Sequence, residues 1–272
     1  MHRRNPQAPV ELRIHHPLLG ALSVFVPRRP RVLFLPGQGT NARLARSLLE
    51  RTGWIDRSHL DFVVPDAPYE MPAFTNEVQL EQIGLSQLVS VGLYDKTARY
   101  REWRAGFEAL YQQHHHGTAF EVTAEIREQW RVTLAYLREV VQRHGPFDGI
   151  AGFCEGAAVA SVALHLQARG EDQGLGSVRF FVAMSPWRSP MHQQEGLFRP
   201  IQPLQLPMLQ IIGENDMDVF LAAAPHFLSD YAVASEFRHA GQHVYPQFTP
   251  GLEAKLRELI SLSSERGGQA AA

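Results

Sequence analysis

One cysteine is present in the chain, and two glycines frame it: Gly152-Phe153-Cys154-Glu155-Gly156. Ile150 and Ala151 precede this pentapeptide, and the apolar run Ala157-Ala158-Val159-Ala160 follows it. The pattern predicts a strand, a sharp turn and a helix, with Cys154 at the apex of the turn. A thiol in that place does nucleophilic chemistry, because a strained strand-to-helix turn presents its side chain at the end of a sheet. The glycines are required because a side chain at either flank would block the close approach of strand and helix. A lone cysteine is more often a small buried hydrophobe. Here the glycine frame and two partners downstream favour the nucleophile.

The partners lie in loops that follow apolar runs. Gly213-Glu214-Asn215-Asp216 follows residues 208–212, and Gly241-Gln242-His243 follows residues 235–239. His243 would take the thiol proton and later activate water or another acceptor. Asp216 would fix the tautomer of His243 and stabilise its charged form. A helix N-terminus and an imidazole both favour thiolate, so Cys154 is expected to ionise readily. Glu214 and Asp218 compete with Asp216; the Gly-x-x-Asp spacing favours Asp216, and Asp218 is expected to cap a helix. His239 competes with His243 and is expected to pack at a strand end.

An acyl-transfer site also needs two backbone N–H groups for the oxyanion. One is that of Glu155, and the other is expected at Gln38, in the loop after the first central strand. The Glu155 side chain reads as favourable charge in the first turn of a helix, although a carboxylate there opposes thiolate formation. Tyr69, Trp103 and Trp187 are candidates for the substrate pocket, against the commoner role of isolated aromatics as core. Arg101, Arg104 and Arg188 are candidates for a phosphopantetheine or carboxylate, against an ordinary solvated face. His114-His115-His116 cannot all face one ion from a helix, and no acid or cysteine supports them, so no metal and no cofactor is expected.

The elements that must position these residues alternate. Residues 10–15 and 21–26 read as a hairpin at a sheet edge, and residues 1–9 as a flexible head. Strands are expected at 31–35 and 60–64, then at 178–184, 208–212 and 235–239, besides the one entering Cys154. Helices are expected at 41–52, 122–144, from Cys154 to about 168, 220–231 and 252–262, with 263–272 as a frayed tail. Residues 69–118 are rich in aromatic and apolar side chains and read as helical pieces forming a lid. Strands alternating with helices argue for one α/β domain over 1–272, built on a doubly wound, mostly parallel sheet. In such a sheet the loops at the strands' carboxyl ends converge, which brings Cys154, Asp216 and His243 to one edge.

Composition excludes several classes. With 272 residues the chain buries a core without disulfides or metals, and one cysteine forbids an intrachain disulfide. A formal net charge of −2 gives no reason to expect nucleic acid or an anionic membrane as partner. The polar start Met1-His2-Arg3-Arg4-Asn5-Pro6-Gln7 shows no apolar signal region, and no apolar run is long enough to span a bilayer. A cytoplasmic protein is the expectation; the oligomeric state is not legible.

The segments 32–41, Asp66-Ala67-Pro68-Tyr69, 145–158, 213–216 and 239–246 together resemble the FSH-type serine hydrolase family of α/β-hydrolases. That family includes the ovarian-cancer-associated hydrolase and fungal hydrolases of polyketide clusters. The resemblance implies an α/β-hydrolase fold, a Ser-Asp-His triad and ester or thioester substrates with acyl chains. The chain departs from the family at four places. Cys154 replaces the serine, Pro36 the histidine of the first loop and Gln242 a glycine before the histidine, while Glu155 stands where glutamine is common. A cysteine in this turn is also similar to dienelactone hydrolase. The leading expectation is therefore a thioesterase or esterase working through an acyl-cysteine. Its substrate is expected to be a polyketide-like acyl thioester of secondary metabolism, with an acyl carrier protein of a polyketide synthase as the implied partner. The alternatives are an acyltransferase or carbon–carbon bond-forming enzyme on the same intermediate, and a non-catalytic ligand-binding relative.

Overall fold

A computed structural model describes residues 10–16, 20–26, 28–71, 92, 95, 98–104, 117, 122–171, 173–189 and 203–269. Its centre is a parallel sheet of six strands among the described residues. In chain order these are β3 (Arg31–Leu35), β4 (Asp61–Val63), β7 (Gly149–Phe153), β8 (Phe180–Met184), β9 (Met208–Gly213) and β10 (Ala234–His239). Their spatial order is β10-β9-β8-β7-β3-β4, and every neighbouring pair is parallel. The four central strands are apolar almost throughout, and Val32, Leu33, Phe34 and Leu35 are fully buried. Such continuous apolar runs arise because helices cover both faces of a parallel sheet. The edge strands β4 and β10 carry exposed or half-buried polar residues.

The helices are α1 (Ala42–Arg51), α2 (Trp54–Arg57), α3 (Ala124–His144), α4 (Glu155–Ala168), α5 (Asp218–Leu228) and α6 (Pro250–Gln269). Asn41 caps α1, its side chain accepting the Leu44 N–H at 2.9 Å, and Thr123 caps α3 through the Ile126 N–H at 3.3 Å. That cap starts α3 two residues later than its apolar spacing suggests. Helix α4 is buried from Glu155 to Leu166 and packs on β3, β7 and β8. An apolar surface all round is what a central helix of such a fold presents.

Several expectations need correction. The hairpin β1 (Val10–His16) and β2 (Gly20–Val26) forms a two-stranded sheet of its own rather than the edge of the main one. Helix α2 was not expected; it begins after Gly53, whose φ of 82° suits glycine. Helix α6 runs through 263–269, so most of the expected frayed tail is helical. The strand expected at 178–184 begins at Phe180, and the helix expected at 220–231 spans Asp218–Leu228. Within 69–118, the described ends form a short antiparallel pair, β5 (Tyr69–Met71) with β6 (Tyr100–Glu102), rather than helix. Most of the rest of the expected lid, the whole of the head and His114-His115-His116 lie outside the described residues. No helix among those described is long and apolar enough to cross a membrane.

Candidate active site

Cys154 occupies the turn between β7 and α4 with φ 52° and ψ −118°, a backbone state that residues with a side chain rarely adopt. Its surroundings enforce that state. The Cys154 N–H donates to the Met184 carbonyl at 2.9 Å, and the Cys154 carbonyl accepts from Ala157 at 3.0 Å and Ala158 at 3.2 Å. A Cβ on Gly152 would stand 2.6 Å from the Ala157 nitrogen, and one on Gly37 3.3 Å from the Cys154 Cβ. The glycine frame thus answers a steric demand.

The sulfur does not carry the readily formed thiolate expected of it. Burial pushes the Cys154 thiol well above its ordinary range. The negative charges of Glu155 and Asp216 push it the same way. The Glu155 backbone N–H and the Trp187 side chain hydrogen-bond toward the sulfur and pull it down without offsetting the rest. Desolvation of an ionised sulfur outweighs the favourable end of one helix.

Asp216 and His243 come from adjacent loops that are stitched together. Glu214 N–H donates to the His239 carbonyl at 2.8 Å, and the Asn215 side chain donates to the Ala240 carbonyl at 2.9 Å. A Cβ on Gly213 would lie 2.5 Å from the Gln242 carbonyl oxygen, so glycine is needed there. Gln242 itself has no left-handed backbone, and its side chain therefore replaces a glycine without strain. His243 Nδ1 meets Asp216 Oδ1 at 2.8 Å. The Met217 N–H also donates to Oδ1, at 2.8 Å, and the Ser185 hydroxyl donates to Oδ2 at 2.7 Å. Burial raises the Asp216 pKa, but the bonds from His243, Ser185 and Met217 outweigh it and hold the carboxyl below its usual range. The His243 ring stacks on Phe220 with centroids 4.1 Å apart and tilts against Phe153, the neighbour of Cys154, at 4.8 Å. Its Nε2 is buried and has no hydrogen-bond partner among the described residues. Cys154, Asp216 and His243 are thus gathered at the carboxyl ends of β7, β9 and β10.

The competitors have other employment. His239 Nδ1 accepts the Gly241 N–H at 3.1 Å, and burial lowers its pKa. Asp218 is the first residue of α5 and not its cap, which is Met217. Gln38 follows Gly37, beside the elbow; its N–H meets no acceptor among the described residues, and its side chain donates to Glu102 at 3.0 Å. Glu155 lies in the first turn of α4 as expected, but it is buried, and its carboxylate accepts the Trp103 N–H at 2.7 Å. Trp103 is wholly buried, and its indole N–H donates to the Pro36 carbonyl at 2.9 Å. Tyr69 is half-buried under the Arg104 guanidinium, 4.2 Å from the ring centre. Trp187 is fully buried beside the sulfur. Arg188 grips the buried Asp230 at 2.6 and 3.0 Å, a structural pair. No metal-binding cluster of His, Cys, Asp or Glu is present among the described residues.

Sequence reasoning missed Ser185. It has a φ of 44°, its N–H donates to the Ile211 carbonyl at 2.7 Å, and its hydroxyl holds Asp216. The available signal was a polar residue directly after the apolar run of β8, where a strand end faces the site.

Residues 26–254 match the model of the family described as serine hydrolase (FSH1). Esterase OVCA2 of Bos taurus is 31% identical over 46% of this chain and 55% of its own length. Esterase OVCA2 of Danio rerio is 25% identical over 79% of this chain and 90% of its own. The chain spans about half the length of the first of these relatives. Acyl-protein thioesterase 2 of Zea mays superposes with a TM-score of 0.50 at 14% identity, over 87% of this chain and 94% of that structure. At that identity the likeness concerns the fold, which is that of an α/β-hydrolase.

Proposed function

We propose, for a chain that belongs to the serine hydrolase (FSH1) family, that it is an acyl hydrolase acting through Cys154. The observation that carries this is the 2.8 Å contact of His243 with Asp216 beside a cysteine held in a strained elbow. His243 Nε2 takes the thiol proton as the sulfur attacks the substrate carbonyl, so no free thiolate has to precede attack. Asp216 stabilises the imidazolium that forms. The N–H groups of Glu155 and Gln38 receive the oxyanion. His243 then gives its proton to the leaving group, and the acyl-cysteine remains. Water, deprotonated by His243, attacks that thioester; the sulfur leaves, recovers the proton and releases the free acid.

The nucleophile favours one substrate class. When sulfur attacks an oxygen ester, the tetrahedral intermediate expels thiolate more readily than alkoxide and reverts. When it attacks a thioester, two thiolates compete on equal terms. We therefore assign an acyl thioester, and within that class a polyketide-like chain presented by an acyl carrier protein. The esterase names of the curated relatives support acyl hydrolysis more broadly. The test is intact-protein mass spectrometry with a panel of acyl thioesters. An acyl adduct on Cys154 and release of free acid are expected, both lost in Cys154→Ala. Full turnover by that variant would end the proposal; a ring or a fused chain in place of acid would reassign it to cyclisation or condensation.

A further inference from the structure

Glu155 is a buried carboxylate to which the reaction above gives no task. The residue is about 1% exposed, and its side chain accepts the backbone N–H of Trp103 at 2.7 Å. Trp103 follows β6, and β6 is laced to the loop that carries Gln38. Gly39 N–H donates to the Arg101 carbonyl at 2.9 Å, and Arg101 N–H to the Thr40 carbonyl at 2.8 Å. The Gln38 side chain donates to Glu102 at 3.0 Å, and the Trp103 indole to the Pro36 carbonyl at 2.9 Å. From the other side, the Thr133 hydroxyl of α3 donates to the Trp103 carbonyl at 2.7 Å. Residues on both sides of Gln38 are thus tied to three consecutive residues, and Glu155 ties that same segment to the elbow.

We propose that Glu155 is a positioning residue of the oxyanion hole: through Trp103 its carboxylate fixes the separation between its own backbone N–H and that of Gln38. The two donors come from the ends of neighbouring strands, after β7 and after β3, which pair as far as Leu35 with Gly152. The brace Glu155–Trp103–Pro36 adds a side-chain link beyond the last paired residues, where the two donors lie. The inference rests on the acyl-hydrolase reading and deepens it. The task requires a hydrogen-bond acceptor of this length and no charge, which an amide would equally meet.

The experiment compares Glu155→Gln, Glu155→Met and Trp103→Phe in steady-state hydrolysis of an acyl thioester, with thermal unfolding recorded for each. Removing the acceptor in Glu155→Met is expected to lower kcat about 100-fold, the scale of one misplaced oxyanion donor, with KM within a few-fold. Glu155→Gln, which keeps an acceptor oxygen, is expected to stay within a few-fold of wild type. Trp103→Phe, which loses the bond to Pro36 and part of the buried ring but keeps the backbone N–H that Glu155 accepts, is expected to fall about tenfold in kcat. Wild-type kcat in Glu155→Met, or an equal loss in Glu155→Gln, overturns the brace. If Glu155→Met does not fold, Trp103→Phe decides, and an unchanged kcat there overturns it. A wild-type protein without Cys154-dependent turnover refutes the acyl-hydrolase reading itself, a separate outcome.

Discussion

Replacing Asp216 by asparagine separates its charge from its hydrogen bonds. Oδ1 receives two N–H donors, from His243 and Met217, each at 2.8 Å, and Oδ2 receives the Ser185 hydroxyl at 2.7 Å. An amide with its carbonyl at Oδ1 keeps both N–H donors, and its NH2 can donate to Ser185, whose hydroxyl turns to accept. Asp216→Asn should therefore fold normally and lose only charge. A hydrogen bond to a charged group is worth about 1–2 kcal/mol more than a neutral one, which corresponds to roughly a 5- to 30-fold fall in kcat. Asp216→Ala leaves three donors in a buried site without an acceptor, at about 1–3 kcal/mol each, a large part of the stability of an ordinary domain. Thermal unfolding and single-turnover acylation measure the two effects. The pH dependence has a definite sign. The folded pKa of Asp216 is depressed, so its contribution is present above the ordinary carboxylate range and disappears as pH falls through the folded value. Wild type should thus lose Tm relative to Asp216→Asn below about pH 4. A loss of Tm in Asp216→Asn as great as in Asp216→Ala, or a fall in kcat beyond about a thousandfold, would refute this account of the site.

Two further outcomes follow from the same structure. Because burial raises the Cys154 thiol, its alkylation rate by iodoacetamide should keep rising past about pH 9.5, a unit above the ordinary thiol midpoint, where an ordinary thiol levels off; a plateau reached at or below that pH contradicts the direction. Arg188→Ala strands the buried Asp230 carboxylate and should cost about 3–5 kcal/mol in unfolding without changing KM for a thioester. A tenfold rise in KM at unchanged Tm would make Arg188 a ligand residue instead.

The chain alone determined a good deal of this molecule. The Gly-x-Cys-x-Gly frame marked the elbow because only glycine permits the approach of β7, α4 and the 37–40 loop, a constraint written locally. The apolar runs at 31–35, 178–184 and 208–212 announced buried parallel strands because a strand covered on both faces has no polar side. Gly213 and the order Cys154, Asp216, His243 were legible for the same reason, since each lies where a run ends. What the tertiary structure alone decided involves residues far apart in the chain. The thiol's state depends on burial and on Glu155 and Asp216 together, so the helix N-terminus visible in the sequence pointed the wrong way. Trp103 is bonded to Pro36, Thr133 and Glu155, which converge on it from three parts of the chain. Ser185 joined the site only because β8 ends beside β9. Spacing along a chain records how one element must fold; which side chain answers a buried donor is settled when elements from different parts of the chain are packed together.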